Sequence, residues 1–282
     1  MLRELNEKGI NSNNRIRKKF EELSNKKECA LICYLVAGYP DLTTTENLAY
    51  TLAKAGADII ELGIPFSDPI ADGPTIQQAS YEALVKGITP HKCLMLSKYI
   101  RNNFPDLPII VMTYSNILLK AGFSEFMDNA KYLGVDGLIL PDMSIDESSL
   151  YIKQASQRDL ATIFLISPNV AQKRLEAIVD TSSGFLYLIS VYGTTGTRQD
   201  FENYTFDAIR KIKKTAQSKI PLAVGFGISN PSHVKFMISA GADGVIVGSA
   251  IVKKVQSSLG KKNMLSNLAL YIKSLKAACN KE

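Results

Sequence analysis

The sequence predicts an α/β protein: a single (β/α)8 barrel of the TIM-barrel class with an extra helix at its N-terminus. Three observations predict it. Eight short runs rich in β-branched residues recur along the chain, each followed by a segment with helical spacing. Most of these runs are continuously apolar rather than alternating, as strands covered on both faces are. The chain has 282 residues, and eight βα units typically occupy roughly 250 as one closed domain. An open, doubly wound sheet is the competing architecture. No Gly-x-Gly-x-x-Gly follows the first strand, which disfavours a dinucleotide-binding fold.

Residues 1–14 read as a polar extension and residues 15–282 as the barrel domain, with no linker dividing it. Arg15–Lys26 has amphipathic spacing and reads as a helix. The predicted strands follow at Ala30–Ala37, Asp58–Ile64, Ile109–Tyr114, Gly137–Leu140, Ala161–Ser167, Phe185–Val191, Leu222–Gly227 and Gly244–Val247. Helix starts are marked at Thr43–Thr45 before Glu46, at Thr89-Pro90 before His91, at Asp146 with Glu147, and at Asn230-Pro231 before His233. Short oxygen-bearing side chains there can accept from the free N–H groups of a first turn. Gly-Ala-Asp recurs at Gly56–Asp58 and Gly241–Asp243, with Gly-Val-Asp at Gly134–Asp136; each stands where a helix gives way to a strand. Helical spacing weakens over Gln256–Asn263.

Composition removes several classes. With 46% hydrophobic and 21% charged residues the chain is not predominantly disordered. Only 4 cysteines in this length exclude a disulfide scaffold; Cys29, Cys33, Cys93 and Cys279 contain no C-x-x-C pair and read as reduced, buried thiols, with Cys29 and Cys33 on one face. No stretch approaches the roughly 20 apolar residues of a membrane helix. The N-terminus lacks the apolar segment of a secretory signal and carries Glu4 and Glu7. The expected location is the cytoplasm, or the plastid stroma if the chain is organelle-encoded. The net charge of +6 is scattered, densest at Arg15–Lys19 and Lys211–Lys214 on predicted helices. No nucleic-acid partner is therefore expected, although the excess favours the approach of a small anion.

In a barrel the site lies at the C-terminal ends of the strands. His91 and His233 fall at helix starts, so no His-ligated metal is expected. The lysines fall in helices or flanking turns, so neither an imine-forming lysine nor a cofactor bound through one is expected. Carboxylates do stand at strand ends. Glu61 interrupts an apolar strand. Either it points outward or is internally paired, or it is an acid/base group whose pKa is raised by burial. Asp68, before Pro69, fits a turn brace. Asp72 fits either a helix cap or a group facing substrate. Three glycine-bearing loops close strands six, seven and eight: Gly193-Thr194-Thr195-Gly196, Gly225-Phe226-Gly227-Ile228-Ser229 and Gly248-Ser249-Ala250. Such loops let backbone N–H groups approach phosphate oxygens, and a helix N-terminus favours their charge.

The run Glu61–Gln77, ELGIPFSDPIADGPTIQ, resembles the signature of the tryptophan synthase α-subunit family. Further matches are Tyr34–Asp41, Tyr114–Asn116, Leu140–Asp142, Gly225–Ile228 and Gly244–Val252, and the resemblance runs from about Arg15 to the last helix. It implies cleavage of indole-3-glycerol phosphate to indole and glyceraldehyde 3-phosphate, with no imine, metal or cofactor in this chain. It implies that Glu61 moves protons to indole C3 and from the side-chain hydroxyl, while Asp72 accepts a hydrogen bond from the indole N–H. It puts the phosphate on Gly196, Gly227, Gly248 and Ser249, with Gly225 and Phe226 shaping the turn. The implied indole pocket is Tyr34, Met112, Ile139, Tyr187 and Phe226, with Tyr114 near Glu61. Tyr192–Phe201 resembles a mobile lid whose Thr195 orients Asp72. Thr194 departs from the usual Gly-Val-Thr-Gly, and Met143-Ser144 follows Pro141-Asp142 where a second proline is common. The resemblance also implies a pyridoxal-phosphate β subunit as partner in an α2β2 heterotetramer, docked near residues 65–77 and 114–120. A free-standing lyase and a non-catalytic regulatory barrel are the competing readings.

Overall fold

A computed structural model describes residues 14–189, 198–225 and 227–281, with residues 198–203 described as helix backbone only. The eight expected runs become nine strands: β1 (Ala30–Val36), β2 (Ile59–Gly63), β3 (Ile109–Met112), β4 (Gly137–Ile139), β5 (Ala161–Ile163), β6 (Leu165–Ile166), β7 (Leu186–Ile189), β8 (Leu222–Gly225) and β9 (Gly244–Val247). Every ladder among them is parallel, in the order β5-β4-β3-β2-β1-β9-β8-β7-β6. The extra strand is a correction to the fifth run, Ala161–Ser167, which breaks at Phe164. β5 pairs with β4 and β6 pairs with β7. Tyr187 N–H donates to the Phe164 carbonyl at 3.1 Å, bridging the break. One stretch of chain thus serves both edges of the sheet, which closes as a barrel.

The helices are α1 (Arg15–Asn25), α2 (Leu42–Ala55), α3 (Pro74–Val85), α4 (Pro90–Asn103), α5 (Ser115–Ala121), α6 (Phe123–Tyr132), α7 (Ser149–Ser156), α8 (Gln172–Thr181), α9 (Arg198–Ala216), α10 (Pro231–Ser239), α11 (Ser249–Ser258) and α12 (Met264–Ala277). Thr89 and Asn230 cap α4 and α10, accepting from Lys92 N–H and His233 N–H. The cap of α2 is Asp41 rather than Thr43–Thr45; its carboxylate accepts from Thr44 N–H at 2.8 Å. Asp146 and Glu147 form a 3₁₀ turn before α7 instead of starting that helix. The weak stretch near Gln256–Asn263 is the break between α11 and α12.

Alternation along each strand sorts the core into two layers. Leu31, Cys33, Leu35, Ile60 and Leu62 pack under the helices. Ile32, Ile59, Ile110, Ile139, Ile163 and Ile246 fill the barrel. All four cysteines are buried free thiols, and Cys29 and Cys33 share the outer layer. The lower end of the barrel is stoppered by α1, whose Ile16, Phe20 and Leu23 join the inner layer. The Phe20 and Phe185 rings lie 5.6 Å apart. Small residues make the room: a Cβ at Gly137 would stand 2.9 Å from Ile16 Cδ1. Asn14 caps α1 and donates to the Asp136 and Asp159 carbonyls, tying the start of that helix to the barrel.

The repeated Gly-x-Asp motif has a structural meaning. Gly56, Gly134 and Gly241 adopt φ of +110°, +91° and +106°, the left-handed region where a side chain is strained. Two residues on, each aspartate grips one residue of the preceding strand at two points. Its N–H donates to the carbonyl of Leu31, Ile109 or Leu222, and its carboxylate accepts that residue's N–H at 2.8–2.9 Å. A cation completes each latch: Lys276 on Asp58 at 2.9 Å, Arg101 on Asp136 at 2.6 Å and Lys213 on Asp243 at 2.6 Å. The latches rivet the end of the barrel away from the catalytic face. No helix among the described residues is long and apolar enough to cross a membrane.

Candidate active site

A cavity of about 250 Å³ opens at the C-terminal ends of the strands. Tyr34, Glu61, Met112, Leu165, Tyr187 and Ile246 supply its floor and walls, and the loop 71–76 one rim. A larger groove, about 640 Å³, lies beside α1 at the opposite end, among the latches.

Alternation in β2 turns Glu61 inward with Ile59 and Gly63. It is 1% exposed, and its Oε2 has no hydrogen-bond partner among the described residues. It therefore faces inward, and no ion pair reaches it among the described residues. Burial pushes its pKa up to about 8, and the nearby charge of Asp72 adds to the rise. Asp72 stands in the loop between β2 and α3. It is not the helix cap, because Gly73 holds that position with no side-chain bond. Its Oδ2 accepts a hydrogen bond from Tyr114 Oη at 3.1 Å. Burial raises Asp72 to about 6, with the Tyr114 bond opposing the rise. Asp68 is exposed and braces its turn, its carboxylate accepting from Ser67 Oγ.

Tyr114, expected near Glu61, makes its polar contact with Asp72. Its hydroxyl also accepts from Ala71 N–H at 3.1 Å, and its ring stacks on Phe66 at 4.9 Å. One side chain thus pins the whole loop. Asp142 in turn holds the base of Tyr114: its carboxylate accepts from Ser115 N–H at 3.0 Å and from Ser115 Oγ at 2.6 Å. That carboxylate satisfies the start of α5, where Tyr114 offers no side-chain cap. Asp142 has no role legible in the sequence, since a cap borrowed from another loop leaves no local pattern.

Across the cavity stand Gly227, Gly248, Ser249 and Lys253. Gly227 has φ +76°, and its carbonyl is held 3.1 Å from His233 Nδ1. Gly248 caps α11 with no side chain over the first N–H groups. Two expected site residues fall elsewhere. Gly225 sits against Tyr187, where a Cβ would come within 2.6 Å of the ring, so it makes room for Tyr187 rather than lining the cavity. Ile139 is fully buried in the barrel interior and does not line it either. Thr194, Thr195, Gly196 and Phe226 lie outside the described residues. Lining residues that went unpredicted include Ile76, Pro141, Leu165, Ile246 and Lys253. The inward parity of Leu165 and Ile246 was available from their strands. The described residues contain no group of three or more His, Cys, Asp or Glu able to hold a metal ion.

Fold and site together define a (β/α)8-barrel enzyme in which one buried and one half-buried carboxylate, Glu61 and Asp72, share a cavity with a glycine-built helix N-terminus. The comparisons narrow the class. The family model described as tryptophan synthase alpha chain matches residues 20–280. The chain is 41% identical over 251 residues to the tryptophan synthase alpha chain of Methanothermobacter thermautotrophicus, covering 89% of this chain and 92% of the relative. It is 42% identical over 261 residues to that of Arabidopsis thaliana, covering 92% and 93%. A solved structure of Mycobacterium tuberculosis tryptophan synthase superposes with a TM-score of 0.85 at 33% identity, over 95% of this chain and 99% of that one. The chain belongs to the tryptophan synthase alpha chain family.

Proposed function

We propose that this chain cleaves indole-3-glycerol phosphate to indole and glyceraldehyde 3-phosphate by carboxylate acid–base catalysis. The observation that carries the proposal is the buried Glu61, whose Oε2 has no hydrogen-bond partner among the described residues, sharing one cavity with Asp72. Glu61 begins protonated, as its raised pKa favours at neutral pH, and gives its proton to indole C3. The positive charge that develops on the ring resides at N1, whose N–H donates to ionised Asp72. The Glu61 carboxylate then takes the proton of the side-chain hydroxyl. That C–O bond becomes the aldehyde as the bond from C3 to the side chain breaks, and its electron pair restores the indole ring. Glu61 ends as it began. The Asp72 contact strengthens only as charge develops, so it lowers the barrier rather than merely tightening binding.

In this reading the phosphate sits at the N-terminus of α11, on Gly248 and Ser249, with Gly227 and the undescribed Gly196 completing its cradle. Tyr34, Met112 and Tyr187 flank the indole. The partner is a tryptophan synthase β subunit in an α2β2 assembly, consistent with the family and with the exposed apolar side chains of Ile70, in the loop after β2, and Leu119, on α5. The test is release of indole from indole-3-glycerol phosphate by the purified chain, alone and with a β subunit. Slow release that rises strongly with the partner is expected. Fast release alone would indicate a free-standing lyase, and no release in either case would overturn the proposal.

A further inference from the structure

The cavity is chemically lopsided. Its β2 side carries Glu61 and Asp72, and the side at β8 and β9 carries Gly227, Gly248 and Ser249. Among the described lining residues one side chain is cationic, Lys253. It follows Ser249 by one helical turn, so the two share a face of α11. Lys253 is exposed at the cavity rim, and helix side chains lean toward the N-terminus, a direction that leads from Lys253 toward the first turn of α11. The next residue, Lys254, is engaged elsewhere, its Nζ 4.5 Å from the Tyr271 ring centroid. Lys253 has no carboxylate partner among the described residues.

A phosphate monoester carries up to two negative charges near neutral pH. The end of a helix offers roughly half a positive charge. Within the same cavity an ionised Asp72 repels the incoming anion. Backbone donors alone leave that repulsion largely uncompensated, and one ammonium offsets it. We infer that Lys253 is a specificity-determining residue: it pairs with the substrate phosphate at the N-terminus of α11 and selects phosphorylated over unphosphorylated substrate. The inference rests on the phosphate placement proposed above. It is not visible in sequence, where a lysine within an amphipathic helix reads as a solvated surface residue.

The test compares indole-3-glycerol phosphate with indole-3-glycerol as substrates of the full chain, its Lys253→Met variant and its Lys253→Arg variant. For Lys253→Met, KM for the phosphorylated substrate is expected to rise about tenfold, with a much smaller change in kcat. The preference for the phosphorylated substrate contracts by the same factor, and Lys253→Arg restores most of it. Added salt raises the wild-type KM more steeply than that of Lys253→Met. A preference within twofold of wild type in Lys253→Met overturns the inference. Calorimetric titration with inorganic phosphate reads the same contact without turnover. Weaker binding to Lys253→Met upholds the pairing even if the wild-type chain cleaves neither substrate, a result that would sink the proposed reaction alone. Equal binding by the two proteins overturns the pairing.

Discussion

A buried glutamic acid whose Oε2 has no partner among the described residues sets reactivity against stability. The folded state holds Glu61 near a pKa of about 8, whereas an unfolded chain would hold it near about 4.3. Folding therefore favours the protonated form, and this group's contribution declines as pH rises from about 4 toward 8. Glu61→Gln removes that pH-dependent penalty. Its melting temperature is expected to match wild type near pH 4 and to exceed it by several degrees at pH 8, read by thermal scans across that range. The same variant should lose on the order of 10²–10⁴ in kcat, because Gln transfers no proton. The proposed reaction requires Glu61 protonated and Asp72 ionised, so kcat/KM is expected to be bell-shaped with flanks near about 6 and about 8. In Asp72→Asn the residual rate should lose its acidic flank. Its alkaline flank should move to lower pH, because the charge that raised Glu61 is gone. Glu61 was legible in sequence because a carboxylate inside an apolar run demands an explanation. Its lack of a partner was not legible, since pairing depends on what neighbouring strands present.

Among the elements, the loop after β2 and the start of α5 act as one piece. Tyr114 joins them through Asp72 and Ala71, and Asp142 anchors the joint. Tyr114→Phe deletes the hydroxyl that lowers the Asp72 pKa. The acidic flank of the pH profile should then move upward from about 6, with kcat falling about tenfold. An unmoved flank would show that the loop keeps Asp72 in place without this bond. Asp136→Ala tests the latches. It leaves Arg101, whose side chain is 14% exposed, without its carboxylate and Ile109 N–H without an acceptor. A loss of about 3–5 kcal/mol in urea unfolding is expected. The strands and most helices were legible from apolar runs and caps. The break at Phe164 was not, because inward parity continues from Ile163 to Leu165 and only the change of pairing partner marks it. The Gly-x-Asp repeat was visible as a pattern, but its grip on the preceding strand needed the register.

For the whole molecule, the two ends of the barrel divide the labour. The lower end is held by α1 and the aspartate latches, and the upper end carries loops whose residues face the cavity. Phe20→Ala should therefore cost about 3–5 kcal/mol of stability, measured by denaturant unfolding, while KM at the remote mouth stays near wild type. The plug formed by α1 also governs molecular traffic. With Ile16 and Phe20 filling the far end, the cavity among the described residues opens at the other, and in the proposed reaction a small apolar product would leave by the way its precursor came in. A protein seated over that doorway is cork and conduit together: it either traps the product or receives it. Retention of a membrane-permeant intermediate then follows from a stoppered vessel, with no need for the barrel to bind that product tightly.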